Sequence, residues 1–578
     1  MKRFDPKRVL SLAALLVACG AGAAASALSA AERAGDRKPV DWVDCLLGTS
    51  TSRWMLYPGP STPFSMVKLS PDNQRRCWKA GYEYTILNIA GFSHLHSWTM
   101  GGLLTMPTTG PLKTTPGPEN KPDAGYRSRF SHKQEQASPG YYAVTLDDYG
   151  IRAELTSTTR AGFQRYTFPK ADQARILFDL EFPTEYGFAV LEARVKKVSN
   201  TEIEGYAKQR STRWNHYTVY FVARVSKPFD SMGGWSGGKI QQDIKEIAGK
   251  GDVGVFLNYS TSDGQVVKLK TGISLVSISQ ARLNLEKEMS AFKWDFDAAR
   301  KAARKTWNDL LGRIEVEGGT SKQLTKFYTN MYRSYCARTI WSDVNGKYVD
   351  MYEKVRQLKD PDSPVYGCDA FWNTFWNLNQ LWNLVTPDIS NKWVRSLLEI
   401  YDRGGWLAKG PTGIEYSSIM VASHEIALIV AAYQQGIRNY DVEKAYKACK
   451  HIQMEPGRPH PGGGHVGNRQ LKDYMALGYV PNPVSNTLEY AYDDWCVAQF
   501  AKALGKQKDY EHFLKRSQNY KNVFDAKVGY TRPKDRNGNW VGKFTPFSGR
   551  GFVEGNSWQF TWFAPHDVGG LVKLMGLK

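Results

Sequence analysis

Cysteine is scarce and scattered. Seven residues (19, 45, 77, 336, 368, 449 and 496) are spread over 578, and no two stand as Cys-x-x-Cys. That excludes a zinc knuckle or ribbon. Cys45 and Cys77 form a candidate bridge in an oxidising compartment, which spacing alone does not decide. Beyond the N-terminus there is no run of about 18 apolar residues, so no internal membrane span is expected. Charge of one sign is not gathered into blocks. There are 76 Lys and Arg against 56 Asp and Glu, a net +20. The densest basic stretch, Arg300, Lys301, Arg304 and Lys305, reads as one solvated helix face. No zinc finger, helix-turn-helix or RNP pattern accompanies it, so nucleic acid is not an expected partner. Gly462-Gly-Gly-His465 lacks the Lys and Ser/Thr of a phosphate loop. No repeat of 20–50 residues is evident. His94-Leu95-His96 has no third ligand beside it and is expected to be structural. Aromatics are plentiful: 18 Trp, 31 Tyr and 25 Phe. They suit a large core and a cleft that stacks rings on a ligand.

Residues 1–34 are a leader. Lys2, Arg3, Lys7 and Arg8 precede a short apolar run, Leu10 to Ala18. This is a secretory signal pattern, so the chain is expected to be exported: periplasmic, secreted or anchored at the outer membrane. Two processing routes stay open. Leu16-Val-Ala-Cys19 matches a lipoprotein box, which would put a lipid anchor on Cys19, whereas Ala25-Ser-Ala27 offers an ordinary cut.

Residues 35–290 carry short alternating or β-branched runs, among them 141–146, 151–155, 175–180, 218–225 and 254–259, punctuated about every ten residues. That pattern predicts a β-sandwich. Residues 291–318 switch to helical period, with Trp307, Leu310 and Leu311 on one stripe, and predict a linker helix. Residues 319–578 predict helices over 321–341, 368–385, 390–402, 417–435, 441–452, 485–504, 507–525 and 558–575. Helices joined by Gly- and Pro-rich loops point to an (α/α)6-type barrel. Twelve helices close such a barrel and about eight are predicted. The expectation is therefore a barrel incomplete at its C-terminus.

Three stretches could carry chemistry. Ser485-Asn-Thr-Leu-Glu489-Tyr-Ala-Tyr-Asp493-Asp494-Trp495 sets three carboxylates among aromatic rings. Either Glu489 is a carboxyl walled by rings, as a general acid requires, or this is a solvated helix start capped by Ser485 or Asn486. Glu554-Gly-Asn556-Ser-Trp-Gln559 offers hard oxygen ligands suited to calcium, or is a loop entering a core helix. Asp369-Ala-Phe-Trp372-Asn373-Thr374 offers Trp and polar groups for a sugar ring, or is a Trp-rich core helix.

Thr487-Leu-Glu-Tyr-Ala-Tyr-Asp-Asp-Trp495, Phe552-Val-Glu-Gly-Asn-Ser-Trp-Gln559, Pro565-His-Asp-Val568, Thr62–Asp72 and Ala90–His96 resemble the glycoside hydrolase family 92 α-mannosidases, in order along the mature chain. The resemblance implies an exported, calcium-dependent exo-α-mannosidase that inverts the anomeric centre and acts on mannose-containing glycans. It implies a β-sandwich paired with an (α/α)6 barrel, the site lying between them. It implies Glu489 as general acid, Glu554 for substrate, Asn556 and Gln559 for the metal, and Trp372, Asn373, Asp369 and Trp78 for the sugar. Three departures stand out. Trp-Asn-Thr replaces Trp-Asp-Thr at 372–374, with Asp369 as a nearby substitute. Val553 stands where members preferring α-1,2 linkages have His. The family's base lies beyond Pro-His-Asp-Val, so none is named here, which leaves the activity of the chain as given open. The alternatives are a non-catalytic glycan-binding protein and another (α/α)6 glycosidase.

Overall fold

The computed structural model describes residues 37–51, 56–74, 81–97, 100–182, 188–210, 216–367, 370–411, 416, 420–461 and 464–576. Residues 1–36, Cys19 among them, and Cys77, Trp78, Cys368 and Asp369 lie outside the described residues. A strand-rich N-terminal half is followed by a helical half.

The strand-rich half is two antiparallel sheets. One has seven strands, in spatial order Ser70–Asp72, Gly91–Ser97, Met100–Thr109, Ala171–Asp179, Val253–Thr261, Ser231–Ser236 and Lys239–Gln241. The other has nine: Glu246–Gly249, Ala189–Ser199, Glu202–Arg210, His216–Val225, Gln265–Ser274, Ala161–Phe168, Ile151–Ser157, Tyr141–Leu146 and Gln136–Ser138. Alternation explains the layering. In His216–Val225, Tyr217, Val219, Phe221, Ala223 and Val225 are buried, while Thr218, Tyr220 and Arg224 are less so. Phe221 stacks on Phe178 of the other sheet at 6.1 Å, across the core. Val222 is buried as well, because it faces the opposite side, beneath a helix.

That helix is α1, Ile278–Met289, which forms where the sequence pattern suggested strand. Ser277 caps it, accepting from the Gln280 N–H at 3.2 Å. Ala281, Leu285 and Met289, four apart, then bury one stripe against Ala161, Phe163 and Val222. Helix α2, Phe296–Leu311, is capped by Asp295 and seats Phe296 and Ala299 on the same face. Its Trp307 indole donates to the Ser61 carbonyl at 2.6 Å and packs on Tyr332.

The helical half contains α3 Ser321–Arg333, α4 Phe371–Thr374, α5 Leu378–Val385, α6 Pro387–Gly404, α7 Glu425–Gln434, α8 Val442–Met454, α9 Leu471–Leu477, α10 Ser485–Ala503, α11 Gln507–Arg516, α12 Ser557–Phe560 and α13 Val568–Leu574. Several are shorter than their sequence runs. Helix α3 stops at Arg333, and Thr339–Ile340 then pairs with Tyr366–Gly367. No helix among the described residues is long and apolar enough to cross a membrane.

The two halves are sewn together by segment 64–68. Phe64 donates its N–H to Tyr335 O, accepts from Ile340 N, and sits among the rings of Tyr335, Tyr366, Trp382 and Trp393. Lys68 is fully buried. Its ammonium donates to Ser65 O, Ser97 Oγ, Arg338 O and Thr339 Oγ1 at 2.7–3.1 Å. Arg338, held in this way, donates to Thr374 Oγ1 at 2.9 Å and lies over the Trp382 ring at 3.7 Å. The sandwich thus braces the turn that carries Trp372.

Candidate active site

Helix α10 carries Glu489 and is buried on nearly every side, from Ser485 through Ala501. It is therefore not a solvated helix start. The expected cap is absent too. Val484 precedes the helix, and the polar residues at its start join other segments instead. Ser485 Oγ accepts from Val553 N at 3.1 Å, Asn486 Nδ2 donates to Gln470 Oε1 at 2.9 Å, and Thr487 Oγ1 accepts from Val480 N at 2.8 Å.

Helical geometry separates the three carboxylates. Glu489 and Asp493 are one turn apart on one face, and Asp494 is rotated from Asp493 by about 100°. Asp494 accepts from Arg516 at 2.8 and 3.0 Å and from Tyr474 Oη at 2.8 Å. Burial pushes its carboxyl up to about 7 despite the arginine. It is a structural anchor between α10 and α11.

Glu489 is 1% exposed. Its Oε1 accepts from the Trp372 indole N–H at 3.0 Å. Its Oε2 lies 2.7 Å from His424 Nε2, and His424 Nδ1 lies 2.8 Å from Asp493 Oδ1. Asp493 Oδ2 also accepts from Ser423 N at 3.1 Å. With a carboxylate oxygen on each side, both ring nitrogens of His424 are assigned as donors. Burial works against that charge, but Asp493 and then Glu489 outweigh it and raise the imidazole from 6.5 to about 10. Phe375 stacks on the imidazole at 4.0 Å, and Tyr492 and Phe563 close the aromatic wall. Beneath lie Glu425, pushed up by burial, and Lys409, pushed down by burial.

Trp372 is half-buried and Asn373 is exposed on α4. Val553 bonds to Ser485, one helical turn before Glu489 on the same face, so the 552–556 loop meets that end of the site. Glu554 is exposed and has a positive φ of 49°. Gly555 is required beside it, because a Cβ there would lie 2.6 Å from the Phe560 ring. Asn556 caps α12, its Oδ1 accepting from Gln559 N at 3.1 Å, and Gln559 is exposed. No hydrogen bond among the described residues links Glu554, Asn556 or Gln559 to Glu489. Nor is any group of three or more His, Cys, Asp or Glu arranged to hold a metal ion among the described residues.

His94 and His96 are buried in the sandwich and hydrogen-bonded there. His94 meets the Leu103 carbonyl at 2.8 Å, and His96 bridges Lys68 O and Asp72. In Pro565-His566-Asp567, Asp567 caps α13 and accepts from Tyr520 Oη. The sequence pointed to Glu489 and Trp372 but not to His424. That residue lies 65 positions before its partner, at the entry to an apolar helix, and only the fold brings the two together.

Comparison with known proteins adds three findings. The model for the glycosyl hydrolase family 92 catalytic domain matches residues 280–578, and that for the family's N-terminal domain matches residues 42–274. Among solved structures, the chain is similar to a family GH92 α-mannosidase of Bacteroides thetaiotaomicron. The two are 31% identical, over 93% of this chain and 73% of that one, with a TM-score of 0.85. That enzyme's complex with mannoimidazole matches at 30% identity over 93% and 72%, again with a TM-score of 0.85. An inverting mannosidase of the same family from B. thetaiotaomicron VPI-5482 is 28% identical over 93% of this chain and 72% of that one, with a TM-score of 0.83. Among curated proteins, an uncharacterized secreted glycosidase of Arthroderma benhamiae is 25% identical over 603 residues, 93% of this chain and 72% of the relative.

Proposed function

The chain belongs to glycosyl hydrolase family 92, and from that premise we propose that it is an exported exo-α-mannosidase that removes terminal mannose with inversion, Glu489 serving as general acid. The observation that carries the assignment is Glu489 itself. It is a buried carboxyl, fixed by an indole donor and by an imidazole that Phe375, Tyr492 and Phe563 surround. The similarity to α-mannosidases, one of them inverting, supports the substrate and the stereochemistry. The secreted relative and the leader pattern support export, with lipidation of Cys19 as the alternative to a simple cut.

An inverting hydrolase needs an acid on the leaving oxygen and a base on the far face of the ring, about 6.5–9.5 Å away, with water between. Glu489 gives its proton to the glycosidic oxygen as the C–O bond breaks. The Trp372 N–H holds the carboxyl in place, so little orientational freedom remains to be lost at the transition state. Trp372 and Asn373, with Trp78 and Asp369 where the chain extends outside the described residues, are the proposed sugar contacts, and Glu554 the contact at the rim. No base is assigned among the described residues. Calcium is the proposed cofactor. The carboxamide oxygens of Asn556 and Gln559 are hard donors of the right chemistry, and these two would supply part of the six to eight oxygens the ion takes. When bound it would hold sugar hydroxyls and favour ring distortion.

The test is release of mannose from aryl α-mannosides and from mannose-terminated glycans with calcium present, the product anomer being read by proton NMR. β-Mannose is expected first. Binding without turnover, or release of another sugar, rejects the assignment.

A further inference from the structure

Asp493, His424 and Glu489 form one buried line of hydrogen bonds. Nδ1 of the imidazole faces Asp493 Oδ1 at 2.8 Å and Nε2 faces Glu489 Oε2 at 2.7 Å. His424 and Asp493 are fully buried and Glu489 nearly so. Ser423 N donates to the second oxygen of Asp493, so that carboxylate is fixed and stays an acceptor. Phe375 covers one face of the ring. Among the described residues, the other titratable groups near it are Glu425, next to it in sequence, and Lys409, whose ammonium is bound to Gly467 O at 2.8 Å. Arg469 acts on Lys409 from the loop before α9. Within the line there are two carboxyls and one imidazole, and the 2.7 Å contact between Nε2 and Oε2 is the one that reaches the residue assigned as acid.

We propose that His424 is a positioning residue that stores the proton Glu489 delivers, with Asp493 keeping the store filled. This rests on Glu489 being the general acid. In the resting site the imidazole carries both protons, one facing each carboxyl oxygen. When substrate sets its glycosidic oxygen against Glu489, the proton on Nε2 crosses the 2.7 Å contact to the carboxylate. The Nε2–H bond breaks, an O–H bond forms on Glu489, and the imidazole is left neutral with its Nδ1–H still on Asp493. The O–H bond then breaks as the glycosidic oxygen takes the proton and keeps the C–O electron pair. One proton leaves the pair per turnover, and one returns to His424 from solvent once product departs. The raised basicity of the imidazole agrees with a store that stays full through neutral pH.

Two measurements on the full chain test this. The first needs no activity. With ¹⁵N-histidine and His424→Gln for assignment, the His424 nitrogens at pH 8 are expected to show imidazolium shifts. A neutral ring at pH 8 overturns the proposal. The second compares aryl α-mannosides of good and poor leaving groups. His424→Gln keeps a donor toward Glu489 but has no transferable proton. It is expected to lose about 10²–10⁴-fold in kcat/KM on a poor leaving group and less than about tenfold on dinitrophenyl mannoside. Its basic limb should move down toward the ordinary carboxylic-acid range, about pH 4–5. A uniform loss across leaving groups with an unmoved pH profile means a merely structural role and overturns the proposal. Glu489→Gln, run in parallel, isolates the underlying assignment. If that variant stays active, the general acid is wrong; if it is dead while His424→Gln keeps its profile, only the proton store is wrong.

Discussion

The Trp372 indole N–H donates to Glu489 Oε1 across 3.0 Å, joining a four-residue turn to a helix 117 residues further along the chain. Arg338 fixes that turn through Thr374, and Lys68 fixes Arg338 from the sandwich side. The carboxyl is thus held by groups of the helical half that a sandwich residue braces at one remove.

Glu489→Gln is near-isosteric and keeps an oxygen for the Trp372 N–H. Activity on a poor leaving group is expected to fall by about 10²–10⁴-fold, the usual worth of a general acid. The fold read by circular dichroism should stay intact, with a lower melting temperature at neutral pH, because the new amide NH2 faces His424 Nε2 and the buried imidazolium loses one of its carboxylates. Trp372→Phe keeps the ring but removes the donor. It is expected to lower kcat more than it raises KM, because orientation of the acid matters most at the transition state. Steady-state kinetics on an aryl α-mannoside separate the two parameters.

Lys68→Met tests the docking. The ammonium serves four acceptors in a site with no exposure. A thioether of similar length leaves the Ser65 and Arg338 carbonyls without this donor, Ser97 Oγ and Thr339 Oγ1 keeping their bond to each other, and each buried unpaired group costs about 1–3 kcal/mol. A loss of about 3 kcal/mol or more is expected, seen as a lower urea midpoint and faster proteolysis between the halves. Mannosidase activity should fall with it, although Lys68 touches no part of the site. An unchanged midpoint would mean that segment 64–68 does not hold the halves together.

Much of this was legible in the sequence, for definite physical reasons. Strand 141–146 is found as expected, and helix 485–504 ends one residue early, because period and turn residues are local signals. Residues 278–289 are helical although they sit in a stretch whose pattern predicts strands. Their four-residue spacing of Ala281, Leu285 and Met289 is diluted by polar neighbours, and the sheet they cover is built from distant strands. Glu489 stood out through its aromatic neighbours. Its environment did not, since α10 has no polar face to distinguish a buried helix from a solvated one. The uses of Ser485 and Asn486 as stitches, and of Asp494 as the Arg516 partner, are equally long-range.

Stability should carry the signature of His424. Its folded pKa of about 10 exceeds the ordinary 6.5, so the folded state binds a proton that the unfolded state releases between those values. The contribution is complete below about pH 6.5 and is lost as pH rises toward 10. Thermal melts of the parent and His424→Gln are expected to differ most near pH 6 and to converge toward pH 10. A difference that grows with pH would show that the imidazole is neutral in the folded protein.

Asn556 has two proposed uses, and one substitution separates them. Its Oδ1 caps α12 by accepting from Gln559 N, and the same carboxamide is a proposed calcium donor. Asn556→Ser keeps a capping oxygen, since serine caps about as well as asparagine, but its shorter side chain brings the hydroxyl less far out toward an ion. If calcium binds here, chelation with EGTA lowers the parent's activity and added calcium restores it. The serine variant then needs a higher calcium concentration for half-restoration, with its melting temperature unchanged in the absence of the ion. Asn556→Ala removes both functions, and its apo stability is expected to drop by about 1 kcal/mol from the lost cap alone. Equal calcium responses in parent and serine variant would take Asn556 out of the ligand set and leave it only as the residue that starts α12.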